Sequence, residues 1–481
     1  MKAKLEKILV DRARQVAVLV PLVVASGFMA LQAPNAGADP SGYEFSLIKT
    51  LGDPAPGGGT FVNDFEPGGL NNHGDMAFGA DVSTGGEGVF LGQGGKVLEL
   101  GRADGTAPGG GVFDFGFLGP VGLNDRGDMI FTFLLKDFTL PFGVNAGVYR
   151  YLRSTHTVTA VVIPFVTPAP AGGTFQGASF QPVIKNCGDV VFTGIIATDE
   201  GVHTVPDTGE PYLGLGVGVF RSDHWGRISS LVSPGDAEPG GGTFDYAYEA
   251  WVSDRGDVSF IGHIAGEESV VAGFPEQAVF ISALGGLYLR KAVSGKIRTI
   301  VHTGDPAPGG GNFRQVFHDV MNNRGEIAFN GDLTPAPGAN QNIGVFVFSL
   351  GQVRAVARPG DPLPGGGTLV NASLVGGNVH INDRGDVVFS GLVDTDVDGD
   401  GFADTGLFQW SHGQLNLIAR TGTVIPGVGT VDELASPQLV IPPSPIPTTT
   451  SGAINNDAGQ ALFQATLTDG RGLLLLATPK P

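Results

Sequence analysis

One eight-residue pattern, Asn-x-x-Gly-x-x-Ala-Phe or a close variant, recurs seven times along this chain. Its glycines are Gly74, Gly127, Gly188, Gly256, Gly325, Gly385 and Gly459, spaced by roughly 50 to 75 residues. A unit of that length holds several strands. Such a unit cannot bury its apolar face alone and must pack on its neighbours. The pattern itself reads as a hairpin turn: Gly supplies the positive φ of a tight turn, Asn tolerates it, and the Ala-Phe pair sends a small and a large side chain to opposite faces of the next strand.

Each unit carries four strand-like stretches. In the fifth they are 313–321, 326–333, 344–350 and 353–358, followed by a Gly-Asp-Pro-x-Pro-Gly-Gly-Gly loop that must leave the sheet because Pro removes a ladder donor. The chain ends after a third-type strand at 472–477, and residues 43–51 match a fourth-type strand. Short Val/Ile/Phe runs between turn clusters indicate an all-β protein. The expectation is therefore a seven-bladed β-propeller of four-stranded antiparallel blades, closed by the N-terminal strand completing the last blade. A right-handed β-solenoid is the alternative, but its repeats are shorter and need no complementary ends.

The N-terminus is basic through Lys2, Lys4, Lys7, Arg12 and Arg14, then apolar over 16–31, then small-x-small at Ala36-Gly37-Ala38. This predicts a signal peptide over 1–38 and a propeller domain over 39–481, hence a secreted or cell-surface protein with no membrane span in the mature chain. The formal net charge of −19 becomes more negative on removal of that segment. Such a balance argues against nucleic-acid partners and favours cations. A lone Cys187 allows no internal disulfide.

The copies at 71–78, 322–329 and 456–463 resemble the bacterial exported tandem-repeat family named for NxxGxxAF, whose members have choice-of-anchor C-termini and unknown activity. The resemblance covers residues 43–477 and implies export and a repeat fold rather than a reaction. Two copies depart from it, with Lys185 and Ser253 where Asn is expected, and the Ala477–Pro481 end has no hydrophobic-plus-basic anchor.

The sharpest chemical signal is the loop 394–404, with five aspartates in eleven residues. Alternating carboxylates on a Gly-containing loop suit Ca²⁺, which takes six to eight oxygens. Asp396, Asp398, Asp400, the Phe402 carbonyl and Asp404 are the candidate ligands of a structural Ca²⁺. A second set, Asp53, Asp236, Asp305 and Asp361, recurs in the loops between units. It could form an acidic rim for a ligand, or each Asp could bond its own turn. His318 and His380 lie on first strands, which would line the channel. Three Arg-Gly-Asp tripeptides fall in the hairpin turn, where a structural role suffices. No nucleophile elbow, Walker loop or Cys-x-x-Cys is present.

These residues point to a monomeric, exported binding or structural propeller that recognises a glycan, peptide or envelope component. The alternative is a secreted hydrolase or lyase at the channel mouth, using His318, His380 and rim aspartates. Long loops at 198–215 and 437–450 are expected to carry specificity.

Overall fold

The computed structural model describes residues 42–114, 122–136, 146–178, 181–204, 211–264, 271–274, 277–280, 285–334, 342–372, 379–434 and 452–481. The expected signal peptide and the 437–450 insertion lie outside these residues. The described residues contain strands and turns and no helix, so no helix among them is long and apolar enough to cross a membrane.

The motif dictates the core of each repeat. Its aromatic residue is buried in every copy, from Phe78 at 0% exposed to Phe131 at 2%. On the neighbouring third strand a second ring faces it in register: Phe78 with Phe90, Phe192 with Phe220, Phe260 with Tyr288 and Phe329 with Phe346. These pairs are stacked, with Phe329 and Phe346 at 5.7 Å and 24°. A third ring from the first strand, Phe313 in that unit, meets Phe346 edge-on at 4.9 Å. Such contacts add about 0.5–1.5 kcal/mol each beyond area burial. Gly331 makes the cluster possible, since a Cβ there would lie 2.7 Å from the Phe313 ring and 2.9 Å from the Phe346 ring.

The chain is an all-β propeller, but the expected seven blades of four strands are not what forms. Five small antiparallel sheets stand as separate blades. Three have four strands, beginning at Phe61–Leu70, Gly122–Leu123 and Asn312–Met321. One has five, counting Leu369–Ala372 and His380–Ile381, which both pair with Val387–Val393. One has six, built on Ala461–Leu467 and Gly472–Pro479 with Tyr43–Thr50 paired antiparallel at its edge. The third and fourth repeats run together as one nine-stranded sheet, joined by a parallel bridge between Val217 and Tyr246. A separate hairpin pairs Val271–Phe274 with Gln277–Phe280. The uniform count failed because first strands bulge, and because the described part of the 198–215 segment is strand. Val190–Thr204 and Pro211–Ser222 extend as a long hairpin where a loop was expected.

The seven turns meet in a closed circle of hydrogen bonds. The second residue of each accepts the backbone N–H of the turn before it. Asn72 N donates to Asp125, Asp125 N to Asn186, Asn186 N to Asp254 and Asp254 N to Asn323. Asn323 N donates to Asp383, Asp383 N to Asp457, and Asp457 N back to Asn72, the bonds of the circle lying at 2.6–3.2 Å. A second tier uses the first Asn: the Nδ2 groups of Asn71, Asn124, Asn322, Asn382 and Asn456 each donate to the backbone carbonyl of the next turn. Lys185 and Ser253 supply no such link among the described residues. The same Asn closes its own turn, as Asn71 Oδ1 accepts from His73 N and Asp75 N. Thus the motif shapes the turn and clasps neighbouring repeats together.

Candidate functional site

The circle surrounds a cavity of about 170 Å³ whose floor includes Trp251 and His380. Their rings meet edge-on at 6.0 Å. Below them a chamber of about 10 Å³ reaches Asp319, with room for about one water. His380 Nδ1 lies 2.8 Å from Asn455 Oδ1, and Asn455 Nδ2 donates to the Asp386 carbonyl. That second bond orients the amide, so His380 donates from Nδ1 and keeps Nε2 as an acceptor. Burial holds the imidazole below its ordinary pKa, opposed by the Asn455 bond and the Asp383 charge, so it is neutral. Burial raises the Asp319 carboxyl well above the usual range, opposed by the nearby Ser259 hydroxyl. His318 lies on the strand Asn312–Met321, but its side chain is outside the described residues.

The candidate calcium loop sits at the other end of the sheets, between Val387–Val393 and Asp404–Ser411. Positive φ at Gly399 and Gly401 folds it back on itself. Asp396, Asp398 and Asp400 each place a carboxylate oxygen within 4.8 Å of the others. Asp396 also accepts from Gly399 N and Gly401 N, and Asp400 from Phe402 N, at 2.8–3.1 Å. Asp404 is placed differently. Its Oδ2 pairs with Arg420 Nη2 at 2.8 Å and also takes the Thr395 hydroxyl, while Oδ1 accepts Val397 N. Asp404 and Arg420 are almost wholly buried. Asp404 therefore anchors the base of the loop and stands apart from the three converging carboxylates.

Sequence reasoning missed two acids that face this loop. Asp432 and Glu433, on Gly429–Glu433 of the following repeat, are within its electrostatic reach. Burial and then the Asp400 charge raise Asp432. Burial, Asp432, Asp400 and Asp398 push Glu433 up to about 7. Burial, opposed by the Asp400 N–H, and the charges of Asp400, Asp404 and Asp432 raise Asp398. The Asp-Glu pair at 432–433 was visible in sequence, but its approach to a loop of the previous repeat follows only from the packing.

The four aspartates between repeats do not converge on a ligand. Asp53, Asp236, Asp305 and Asp361 each accept the backbone N–H three residues earlier, from Thr50, Ser233, His302 and Arg358, at 2.8–3.0 Å. Where Asp is replaced, Thr423 accepts the Arg420 N–H three residues earlier and Thr167 the Ile163 N–H four residues earlier, each through its hydroxyl. The Arg-Gly-Asp tripeptides are likewise engaged. Asp128 and Asp386 are buried, and Arg126 and Arg384 pair with them across the intervening Gly.

Glu66, on the first strand Phe61–Leu70, gives a direct pH test. Burial, then Asp64 and Asp81, push its carboxyl up to about 8. The folded state thus retains a proton that the unfolded chain releases near the ordinary carboxyl pKa. The unfolded state binds fewer protons in that window, so the stability this group contributes is fully present in acid and is lost as pH rises toward about 8. Glu66→Gln is expected to weaken that fall and to exceed wild type in stability above pH 8. Denaturant midpoints measured from about pH 5 to about pH 8.5 check this. Parallel pH profiles for the two proteins would oppose it.

A family model described as "Family of unknown function (DUF7453)" matches residues 25–476. The chain belongs to this family. No curated protein matches it. Among solved structures, an oligogalacturonate lyase from Vibrio parahaemolyticus is similar at 12% identity and a TM-score of 0.47, over 91% of this chain and 97% of that one. A polysaccharide lyase of family PL25, an ulvan lyase, is similar at 11% and 0.44, over 90% and 98%. A puromycin-hydrolyzing peptidase from Mycobacterium tuberculosis is similar at 12% and 0.45, over 83% of this chain and 49% of that one, so the chain spans about half the peptidase's length. At such identities and scores, the enzymes' activities do not carry over to this member of the family.

Proposed function

We propose that this protein is an exported binding propeller that holds one Ca²⁺ on the face opposite its clasped turns and recognises an extracellular glycan, peptide or envelope component there. The convergence of the Asp396, Asp398 and Asp400 oxygens within 4.8 Å carries this reading. Three adjacent carboxylates repel one another unless a cation lies among them. Burial first, and then the charges of neighbouring carboxylates, raise Asp398, Asp432 and Glu433. The Phe402 carbonyl and solvent would complete the oxygen set that calcium needs. Export is supported by the basic-apolar-small pattern of the first 38 residues and by the resemblance to exported NxxGxxAF repeat proteins.

The hydrolase or lyase reading has one observation in its favour, a buried His380, whose Nε2 has no hydrogen bond among the described residues, near the buried Asp319 with its raised carboxyl. The chamber they share is about 10 Å³, the size of a water, and the 170 Å³ cavity above it is lined by His380 but not by Asp319, so a ligand there would meet only one of the two and binding is the better-supported reading.

Calorimetry with CaCl₂ is expected to show one site per chain in wild type and none in Asp398→Ala or Asp400→Ala. Calcium should also raise the melting temperature by mass action. Wild type that releases no binding heat and gains no thermal stability overturns the calcium reading. A glycan and peptide array probed with and without calcium then tests the ligand class.

A further inference from the structure

The two departures from the repeat pattern lie side by side. Lys185 opens the turn of the third repeat and Ser253 that of the fourth, at the seam where the asparagine clasp is missing. The Lys185 side chain is about nine-tenths buried and crosses the seam. Its Nζ lies 3.7 Å from the position a Cβ on Gly256 would occupy. Beside it is a cavity of about 180 Å³ whose lining includes Lys185, Arg221, Arg255 and Arg290 and no acidic residue. The remaining lining is aliphatic or small, with Val191 and Leu231 among it.

Nearby carboxylates are already engaged. Asp189 pairs with Arg221 at 2.5 Å, and Asp257 pairs with Lys291 at 2.6 Å. Lys185, Arg255 and Arg290 form no direct ion pair among the described residues, although the charges of Lys185 and Arg255 reach Asp189 and Asp257 from beyond pairing distance. Cations that share a small cavity repel one another. An anion seated among them relieves that repulsion, and guanidinium forks match planar or tetrahedral oxyanions.

We propose that this cavity is an oxyanion site that takes a phosphate or sulfate group, either free or carried on a larger molecule. The carrier can be a soluble ester or a lipid headgroup. Exposed apolar tips occur on the adjoining turns of the same face, Trp225 in the third repeat at 73% exposed and Val293 in the fourth at 103%. A lipid surface would cover them, whereas a soluble phosphate would not.

The test titrates inorganic phosphate, then sulfate, into the full protein by calorimetry at low ionic strength. Lys185→Asn is the decisive variant, because it restores the residue used by most other repeats and so preserves the turn. Arg255→Gln is the second, since His and Cys occupy that position elsewhere, and Arg384→Gln in the sixth repeat is the control. One saturable site is expected in wild type, weakened about tenfold by either pocket substitution and unchanged by the control. No saturable binding of either anion, or equal affinity in Lys185→Asn and wild type, overturns the proposal. Vesicles of phosphatidylcholine with and without phosphatidylglycerol then identify the carrier. A blue shift of Trp225 emission that needs the anionic lipid and is lost in Lys185→Asn assigns a headgroup. Phosphate binding without that shift assigns a soluble ester.

Discussion

Arg420→Met is expected to destabilise the folded protein by about 3–5 kcal/mol, the usual cost of stranding one partner of a buried ion pair. Arg420 and Asp404 have side chains only 3% and 1% exposed. The guanidinium also donates to the Gly365 and Gly366 carbonyls at 2.8 and 3.0 Å and to the Thr395 hydroxyl. One side chain thus ties the strand Gln414–Arg420 to the Pro-Gly-Gly-Gly loop before it and to both ends of the aspartate loop. Removal leaves the Asp404 carboxylate buried without a countercharge and frees the base of the loop. Chemical denaturation reads the first effect and calcium calorimetry the second, with affinity expected to fall alongside stability. The double variant Arg420→Met/Asp404→Leu should recover part of the stability, because no charge is then left buried. A single variant that loses less than about 1 kcal/mol would show that water reaches this pair.

Asn382→Ala is expected to cost roughly 2–4 kcal/mol, far more than one exposed polar side chain contributes. Asn382 Oδ1 accepts from Arg384 N and Asp386 N, and Nδ2 donates to Asp386 and to the Asn456 carbonyl, at 2.8–3.1 Å. The residue is 4% exposed, so its partners have little water to turn to. Asn382→Ser should be milder, as the Ser253 turn still closes through its backbone, with Ser253 N donating to the Asp257 carbonyl and Gly256 N to the Ser253 carbonyl. Equal losses for Ala and Ser would mean that the link between repeats, rather than the turn itself, dominates.

Much of the local structure was legible because it is encoded within a few residues. The turn glycines all have positive φ, from 76° at Gly459 to 90° at Gly188. The strands of the fifth repeat lie within a residue or two of their expected bounds. The aspartate loop was found by spacing alone, and three of its carboxylates converge. Asp404 was grouped with them because its spacing fits a ligand series. Its capture depends on Arg420, a residue of the next strand whose approach no local pattern reports. Likewise, the aspartates between repeats look like a rim in sequence, and only their bonds to Thr50, Ser233, His302 and Arg358 show that each closes its own loop.

The sequence alone determined the all-β class, the hairpin turns and the acidic loop, because periodicity, positive-φ glycine and charge spacing are properties of consecutive residues. The tertiary structure decided how many separate sheets form, since bulges and a parallel bridge between Val217 and Tyr246 merge two repeats. It also turned the motif asparagines into a circular clasp, a contact between residues 53 to 385 positions apart. Finally, it gathered Lys185, Arg221, Arg255 and Arg290 around one cavity in a chain of net charge −19. Net charge is a sum over the whole chain, whereas a binding site depends on which charges the fold brings together.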